Sequence, residues 1–238
     1  MIPTMDHKIM SKSTAFTEED VCKAIRDRVL EQRLAPGTKL TEDSLCSIFG
    51  VGRTTIRRAF LLLTRDNIIE LQKNKGAVVA TPSPEDARQV FEARMVLERA
   101  MLEKAIENAT AGDIARLRTH LADEEQALKA ADIARWIRLT GKFHILLSQL
   151  SKNDLMCNFL EQLVFQTSLI IALYGRTGAA PNCKGGDHER LVDAMERGNA
   201  TEAGDILIHH LASIESQLVF EARSGEQDLH TIFATAND

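Results

Sequence analysis

No two cysteines of this chain are closely spaced: Cys22, Cys46, Cys157 and Cys183 lie scattered, with no CxxC pair. That excludes a zinc ribbon and a disulfide-dense secreted scaffold, and makes reduced structural thiols the expectation. No stretch approaches the roughly 18 consecutive apolar residues of a membrane span. The N-terminus also lacks the apolar core of a secretion signal, so a cytoplasmic protein without a membrane partner is expected. Aromatic residues are scarce at 5%. The only tryptophan, Trp136, opens an apolar stripe with Leu139 and Phe143 and is expected in a core.

The 238 residues, 44% of them hydrophobic, suffice for two modest domains with ordinary cores. A formal charge of -5 would by itself argue against a nucleic-acid partner, but the charge is unevenly spread. Residues 16–80 carry 11 Lys/Arg and 9 Asp/Glu, a net +2, whereas residues 81–238 carry 16 and 24, a net -8. Between residues 53 and 75 six basic side chains face two acidic ones, a local excess able to neutralise several phosphates.

That basic stretch has helical periodicity. Arg53, Arg57, Arg58 and Arg65 recur at helical intervals, with Ile56, Ala59, Phe60 and Leu63 on the complementary stripe. A helix docked by its apolar side and presenting Arg and Thr near its N-terminus suits the major groove, where guanidinium forks read guanine edges. Two helices are expected before it, one after Thr17 with Val21, Ile25 and Val29 inward, one from Thr41 with Leu45, Ile48 and Phe49 inward. After it, 68–72 and 77–80 can pair across Lys73-Asn74-Lys75-Gly76 as a hairpin with a basic tip.

The expected organisation is a flexible arm at 1–15, a winged helix-turn-helix at 16–80 and a Pro-rich linker at 81–86. An all-helical bundle at 87–232 and a tail at 233–238 follow. Val90, Ala93, Leu97 and Met101 form the first inward stripe of the bundle, and further helices are expected near 111–131, 132–150, 153–175, 185–197 and 200–223. The Gly175–Gly186 segment, which includes Arg176, can cover one end of a pocket. Tyr174 beside it suits either ligand contact or helix-end packing.

His144, His188 and His210 each sit beside apolar neighbours on separate expected helices. Neutral imidazoles directed inward can hold Zn²⁺, Ni²⁺, Mn²⁺ or Fe²⁺ with positions left for water or a carboxylate ligand. They can equally bind an effector directly in a metal-free pocket. His120, His209 and His230 are expected at the surface.

The ordered set Leu34-Ala35-Pro36-Gly37-Thr38-Lys39-Leu40-Thr41-Glu42, Val51-Gly52-Arg53-Thr54-Thr55-Ile56-Arg57-Arg58-Ala59-Phe60 and Asn74-Lys75-Gly76-Ala77-Val78-Val79 resembles the GntR-type bacterial transcription regulators. The resemblance extends over almost the whole chain and points to the FadR-like branch with a C-terminal FCD effector-binding domain. It implies base or phosphate contacts by Arg53 and Arg57, backbone contacts by Thr54 and Thr55, and a minor-groove approach of the wing at Gly76, beside which Lys75 of the basic tip is a further DNA-contact candidate. Gly52 stands where Ser is usual, and Arg58 where an acid commonly follows the second Arg. The resemblance also places His144, His188 and His210 on the metal-binding positions of FCD domains, puts Thr140 where an Asp ligand is usual, and assigns Arg94 to the effector pocket. Thr140 lacks the charge of that Asp, so an anionic effector is expected to complete the site. Arg94 can instead pair with Glu98 one turn away.

The function these features imply is a ligand-responsive, homodimeric repressor that binds a palindromic double-stranded operator and a small carboxylate effector. A metal-dependent enzyme with a DNA-targeting module is the competing class. It lacks an HExxH or comparable acid-base pair beside the histidines. A DNA-bending protein without a ligand is the third.

Overall fold

The computed structural model describes residues 16–73, 76–175, 186–220 and 228–234. The arm at 1–15, Asn74, Lys75, Arg176 and most of the long Gly175–Gly186 segment lie outside the described residues. In chain order the elements are α1 (Glu18–Leu30), β1 (Lys39–Leu40), α2 (Glu42–Phe49), α3 (Arg53–Arg65), β2 (Ile69–Gln72) and β3 (Gly76–Val79). The helical part contains α4 (Pro84–Asn108), α5 (Ala111–Lys129), α6 (Ile133–Gln149), α7 (Asp154–Tyr174), α8 (Asp187–Glu196), α9 (Ala200–Glu215) and α10 (Leu229–Ala234).

Local chemistry sets the helix starts. Thr17, Ser83 and Thr110 form capping boxes with Asp20, Asp86 and Asp113, and Thr41 caps α2 through the Ser44 amide. α2 ends at Gly50 in the left-handed conformation, which turns the chain into α3. α3 buries Ile56, Ala59, Phe60 and Leu63, the expected stripe, against α1 and α2.

The wing is a three-stranded antiparallel sheet in the order β1-β3-β2. β1 is an addition to the expected hairpin, pairing Lys39 with Val78 and Leu40 with Ala77. Its approach explains Gly76: φ is +82°, and a Cβ there would stand 2.6 Å from the Leu40 carbonyl oxygen.

The extended connection is shorter than 81–86, because Ser83 already caps α4 and Pro84 is helical. α4 packs on α9, α7 and α6, while α8 is held by α9 and α5. The buried stripe of α4 is Ala87, Phe91, Arg94, Glu98, Met101, Leu102 and Ala105. Ala93 is exposed, so the expected stripe is rotated, because an ion pair occupies the middle of the inner face. Gly141 lets α6 approach α7, since a Cβ there would meet Ser168 and Val164 at 3.0 and 3.1 Å. By length and composition alone α7 is apolar enough to cross a membrane. Here it packs against α1, α4 and α6 as a core helix.

Residues 233 and 234 are helical rather than tail. α10 crosses back to the N-terminal unit, where Phe233 meets the Phe49 ring edge-on at 5.3 Å and Ile232 accepts a hydrogen bond from Arg28. Trp136 is buried on α6, and Tyr174 packs on Phe220 with ring centroids 4.4 Å apart.

Candidate functional site

Two regions carry chemistry. At the first, Gly52 caps α3 without a side-chain hydrogen bond, Arg53 and Thr54 are exposed and Thr55 is half-buried. The side chains of Arg53 and Arg57 are 62% and 64% exposed, so α3 presents cations on the face opposite its buried stripe. A groove of about 860 Å³ runs between α3 and the wing, with Arg53, Arg57, Leu61, Leu71, Lys73 and Gly76 along it. Two acids at the start of α2 reach the same arginines: Arg53 donates Nη2 to Asp43 at 2.7 Å, and Arg57 donates Nε to Glu42 at 2.8 Å. Arg58 and Arg65 point instead towards Glu18 and Asp66.

The second region is buried. His144 on α6, His188 on α8 and His210 on α9 bring one ring nitrogen each within 4.8 Å of one another. Each ring has a carboxylate at its Nδ1. His144 Nδ1 is 2.6 Å from Glu98, His188 Nδ1 is 2.9 Å from Glu124, and His210 Nδ1 is 3.5 Å from Asp187. Such backing favours a proton on Nδ1 and directs the Nε2 atoms towards one another.

Burial favours the neutral form of His144 and His188. Burial pushes His144 down to about 3 against the pull of Glu98, and burial pushes His188 well below its ordinary value. Burial would raise Glu98, but Arg94, whose Nε lies 2.7 Å away, and His144 hold it below the usual carboxylate range. Glu124, without an arginine, is pushed up to about 7 by burial. Asp187 is lowered by its interaction with His210.

The donor set leaves one conflict. His188 Nε2 and His210 Nε2 are 3.1 Å apart, so one must carry a proton if nothing lies between them. If His188 keeps its Nδ1 proton for Glu124, that proton falls to His210 Nε2, and the neutral His210 then turns a bare Nδ1 towards Asp187. At 3.5 Å from Asp187, His210 Nδ1 completes no hydrogen bond among the described residues. A cation among the Nε2 atoms would let all three rings donate Nδ1–H to their carboxylates. The residues present therefore fit a divalent transition metal.

The expected pocket residues divide. Thr140 lies one turn before His144 on α6 and donates its hydroxyl to the Ile137 carbonyl at 3.1 Å, bringing no charge to the centre. Arg94 is buried and paired with Glu98, yet its Nη2 has no partner among the described residues. His120 is not a surface residue: it is buried on α5, donates Nε2–H to the Leu139 carbonyl and approaches Glu124 at 3.5 Å. Its place on the stripe of Ile114, Leu117, Glu124 and Ala127 was the available signal. Glu98 is expected from sequence only as a partner of Arg94, and Glu124 and Asp187 are not singled out there, because their proximity to the histidines arises from helix packing.

A winged helix joined to a helical domain with a buried polar centre defines a DNA-binding transcription regulator. Residues 17–79 match the family of bacterial regulatory proteins called the gntR family, and residues 89–213 match the FCD domain. The chain belongs to the GntR family, in its FCD-containing FadR-like branch, whose members are regulators rather than enzymes. It is 28% identical over 205 residues to the Uxu operon regulator of Haemophilus influenzae, covering 76% of this chain and 74% of that one. It is 22% identical over 215 residues to the transcriptional repressor RspR of Escherichia coli, covering 90% and 94%. A GntR regulator from Rhodococcus sp. RHA1 shares the fold, with a TM-score of 0.72, 22% identity and coverage of 84% and 96%.

Proposed function

We propose that this regulator is a homodimeric repressor of a metabolic operon, released from or fixed on a palindromic operator by a small carboxylate effector. The observation that carries the effector reading is the buried set of three imidazoles, each with a carboxylate at Nδ1. His144, His188 and His210 are the residues that would hold Zn²⁺, Ni²⁺, Mn²⁺ or Fe²⁺. A bound divalent ion would supply a fixed positive charge for a carboxylate to bind. Arg94 adds a second cationic donor through its unpartnered Nη2, and Glu98 orients both Arg94 and His144. The likeness to a repressor and to an operon regulator supports the sign and the target class. Val96 on α4 and Leu155 and Phe159 on α7, exposed by 71%, 66% and 54% on helices packed together, support an interface between two copies there.

On the DNA side, Arg53 and Arg57 would reach bases or phosphates, Thr54 and Thr55 the backbone, and Lys75 and Gly76 the minor groove, all in the cytoplasm. Two half-sites about one helical turn apart match a two-fold protein.

Metal analysis of protein purified without chelator tests the centre. His144→Ala should lose the ion and the thermal stabilisation by small mono- and dicarboxylic acids. Stoichiometric metal in that variant would sink the three-imidazole assignment. Arg53→Ala should lose preference for a duplex selected from a random pool while keeping its fold.

A further inference from the structure

We infer that the two adjacent acids at the start of α2 act in opposite directions on DNA binding: Glu42 positions Arg57 for sequence reading, and Asp43 restrains Arg53 from unspecific phosphate contact. The inference rests on the proposed DNA contacts of Arg53 and Arg57.

The two ion pairs look alike in sequence and differ in geometry. Glu42 takes the inner nitrogen of Arg57, Nε, at 2.8 Å. That contact fixes the plane of the guanidinium and leaves both terminal amino groups without a partner among the described residues. Those two groups are the fork that matches O6 and N7 of guanine. Glu42 is a firm support, because its side chain is only 22% exposed and the preceding Thr41 caps the helix.

Asp43 takes Arg53 from the other end. Its Oδ1 accepts from Nη2 at 2.7 Å, so it occupies one tine of the fork that base reading needs. The Asp43 side chain is 77% exposed and lines the groove with Thr41, Glu42 and the two arginines. An exposed pair of this kind is weak, and a bidentate guanine contact outweighs it, whereas a single phosphate contact barely does. The carboxylate also repels phosphates that approach without the correct base. Its cost therefore falls mainly on unspecific complexes, which is how an unfavourable charge raises a specificity ratio.

The bland alternative is that both acids merely favour the α2 N-terminus through the helix dipole. That role changes stability and leaves sequence preference alone.

The test uses the full chain, a short duplex selected from a random pool by the unaltered protein, and a scrambled duplex of the same composition, with anisotropy titrations over a salt series. Arg53→Ala and Arg57→Ala should lose the preference for the selected duplex. Glu42→Ala should weaken the selected duplex about tenfold and leave the scrambled one within about twofold, with Glu42→Gln, which keeps an acceptor oxygen, restoring most of the loss. Asp43→Asn should tighten the scrambled duplex about fivefold, more than the selected one, and steepen the salt dependence by about one released ion. Retained preference in both arginine variants overturns the recognition-helix reading itself. Loss in those variants, with Glu42→Ala binding like the unaltered protein or Asp43→Asn leaving the ratio unchanged, overturns this inference alone. Thermal midpoints verify that each variant is folded.

Discussion

Arg94→Met probes the buried centre most directly. The side chains of Arg94 and Glu98 are 3% and 2% exposed, so the substitution strands a carboxylate inside the helical unit with His144 as its remaining partner. Breaking a buried pair by removing one partner costs about 3–5 kcal/mol, and the surviving His144 contact places this case near the lower end. A loss of about 3 kcal/mol corresponds to roughly 6–12 °C in thermal midpoint for a unit of this size. In the unaltered protein Glu98 is depressed, so its contribution is present at neutral pH and is lost as pH falls through its folded value. In the variant, burial without Arg94 raises Glu98. The deficit should then be greatest at and above neutral pH and shrink as pH falls towards the ordinary carboxylate value of about 4.3. Arg94→Met/Glu98→Leu removes both charges at similar volume and should recover most of the loss. The assay is urea unfolding of metal-stripped protein at neutral and mildly acid pH, followed by fluorescence of Trp136, which reports on α6. A loss below about 1 kcal/mol, or a double variant less stable than the single one, would refute the argument.

Gly76→Ala should destabilise the wing by about 1–3 kcal/mol, because it combines a left-handed φ with a 2.6 Å approach to the Leu40 carbonyl. Hydrogen exchange of the β1-β3 amides measures that loss, and DNA affinity should fall although no cation is removed. Phe233→Ala should cost about 2 kcal/mol through lost contacts with Phe49 and Arg28. A melting point equal to that of the unaltered protein would show that α10 does not hold the head. Acid should weaken the starts of α1, α4 and α5, because Asp20, Asp86 and Asp113 are each lowered chiefly by hydrogen bonds from the capping residue. Their contribution is present above the ordinary Asp value of about 3.9 and disappears as pH falls through the folded values. Asp86→Asn should flatten that acid limb, as read by circular dichroism.

The recognition helix was legible because its buried stripe, Ile56, Ala59, Phe60 and Leu63, contains no polar residue. Periodicity failed on α4 for the converse reason. Arg94 and Glu98 are buried on its inner face, and a reading that counts only apolar residues rotates the helix towards Ala93. The same bias concealed His120, which falls in step with Ile114, Leu117 and Ala127. β1 is two residues long and exists through pairing with β3, nearly forty positions away, so no local pattern announces it. The histidines themselves could be placed on three helices from sequence. Which carboxylate backs which ring depends on how α4, α5 and α8 pack, and that is tertiary information.

Those packing relations also bear on how an occupied centre would reach DNA. Three consecutive residues of α1 reach four other elements. Arg26 pairs with Asp66 at the end of α3 and lies 5.6 Å over the Phe165 ring of α7. Asp27 pairs with Arg138 of α6 at 3.4 Å, and Arg28 holds Ile232 and Phe233 of α10. Arg138 and His144 lie on the same helix, about 9 Å apart along its axis, so a tilt of α6 at the histidine end moves the Asp27 contact as one body. Magnitudes limit what that contact can do. A hundredfold change in operator affinity needs about 2.7 kcal/mol of difference between the two head placements. An exposed pair such as Asp27–Arg138 supplies at most about 1 kcal/mol. The remainder has to come from burial, where Phe49 meets Phe233 and α1 meets α7. A switch in this regulator therefore requires the docked head to repack along α1, and opening a single ion pair is not enough.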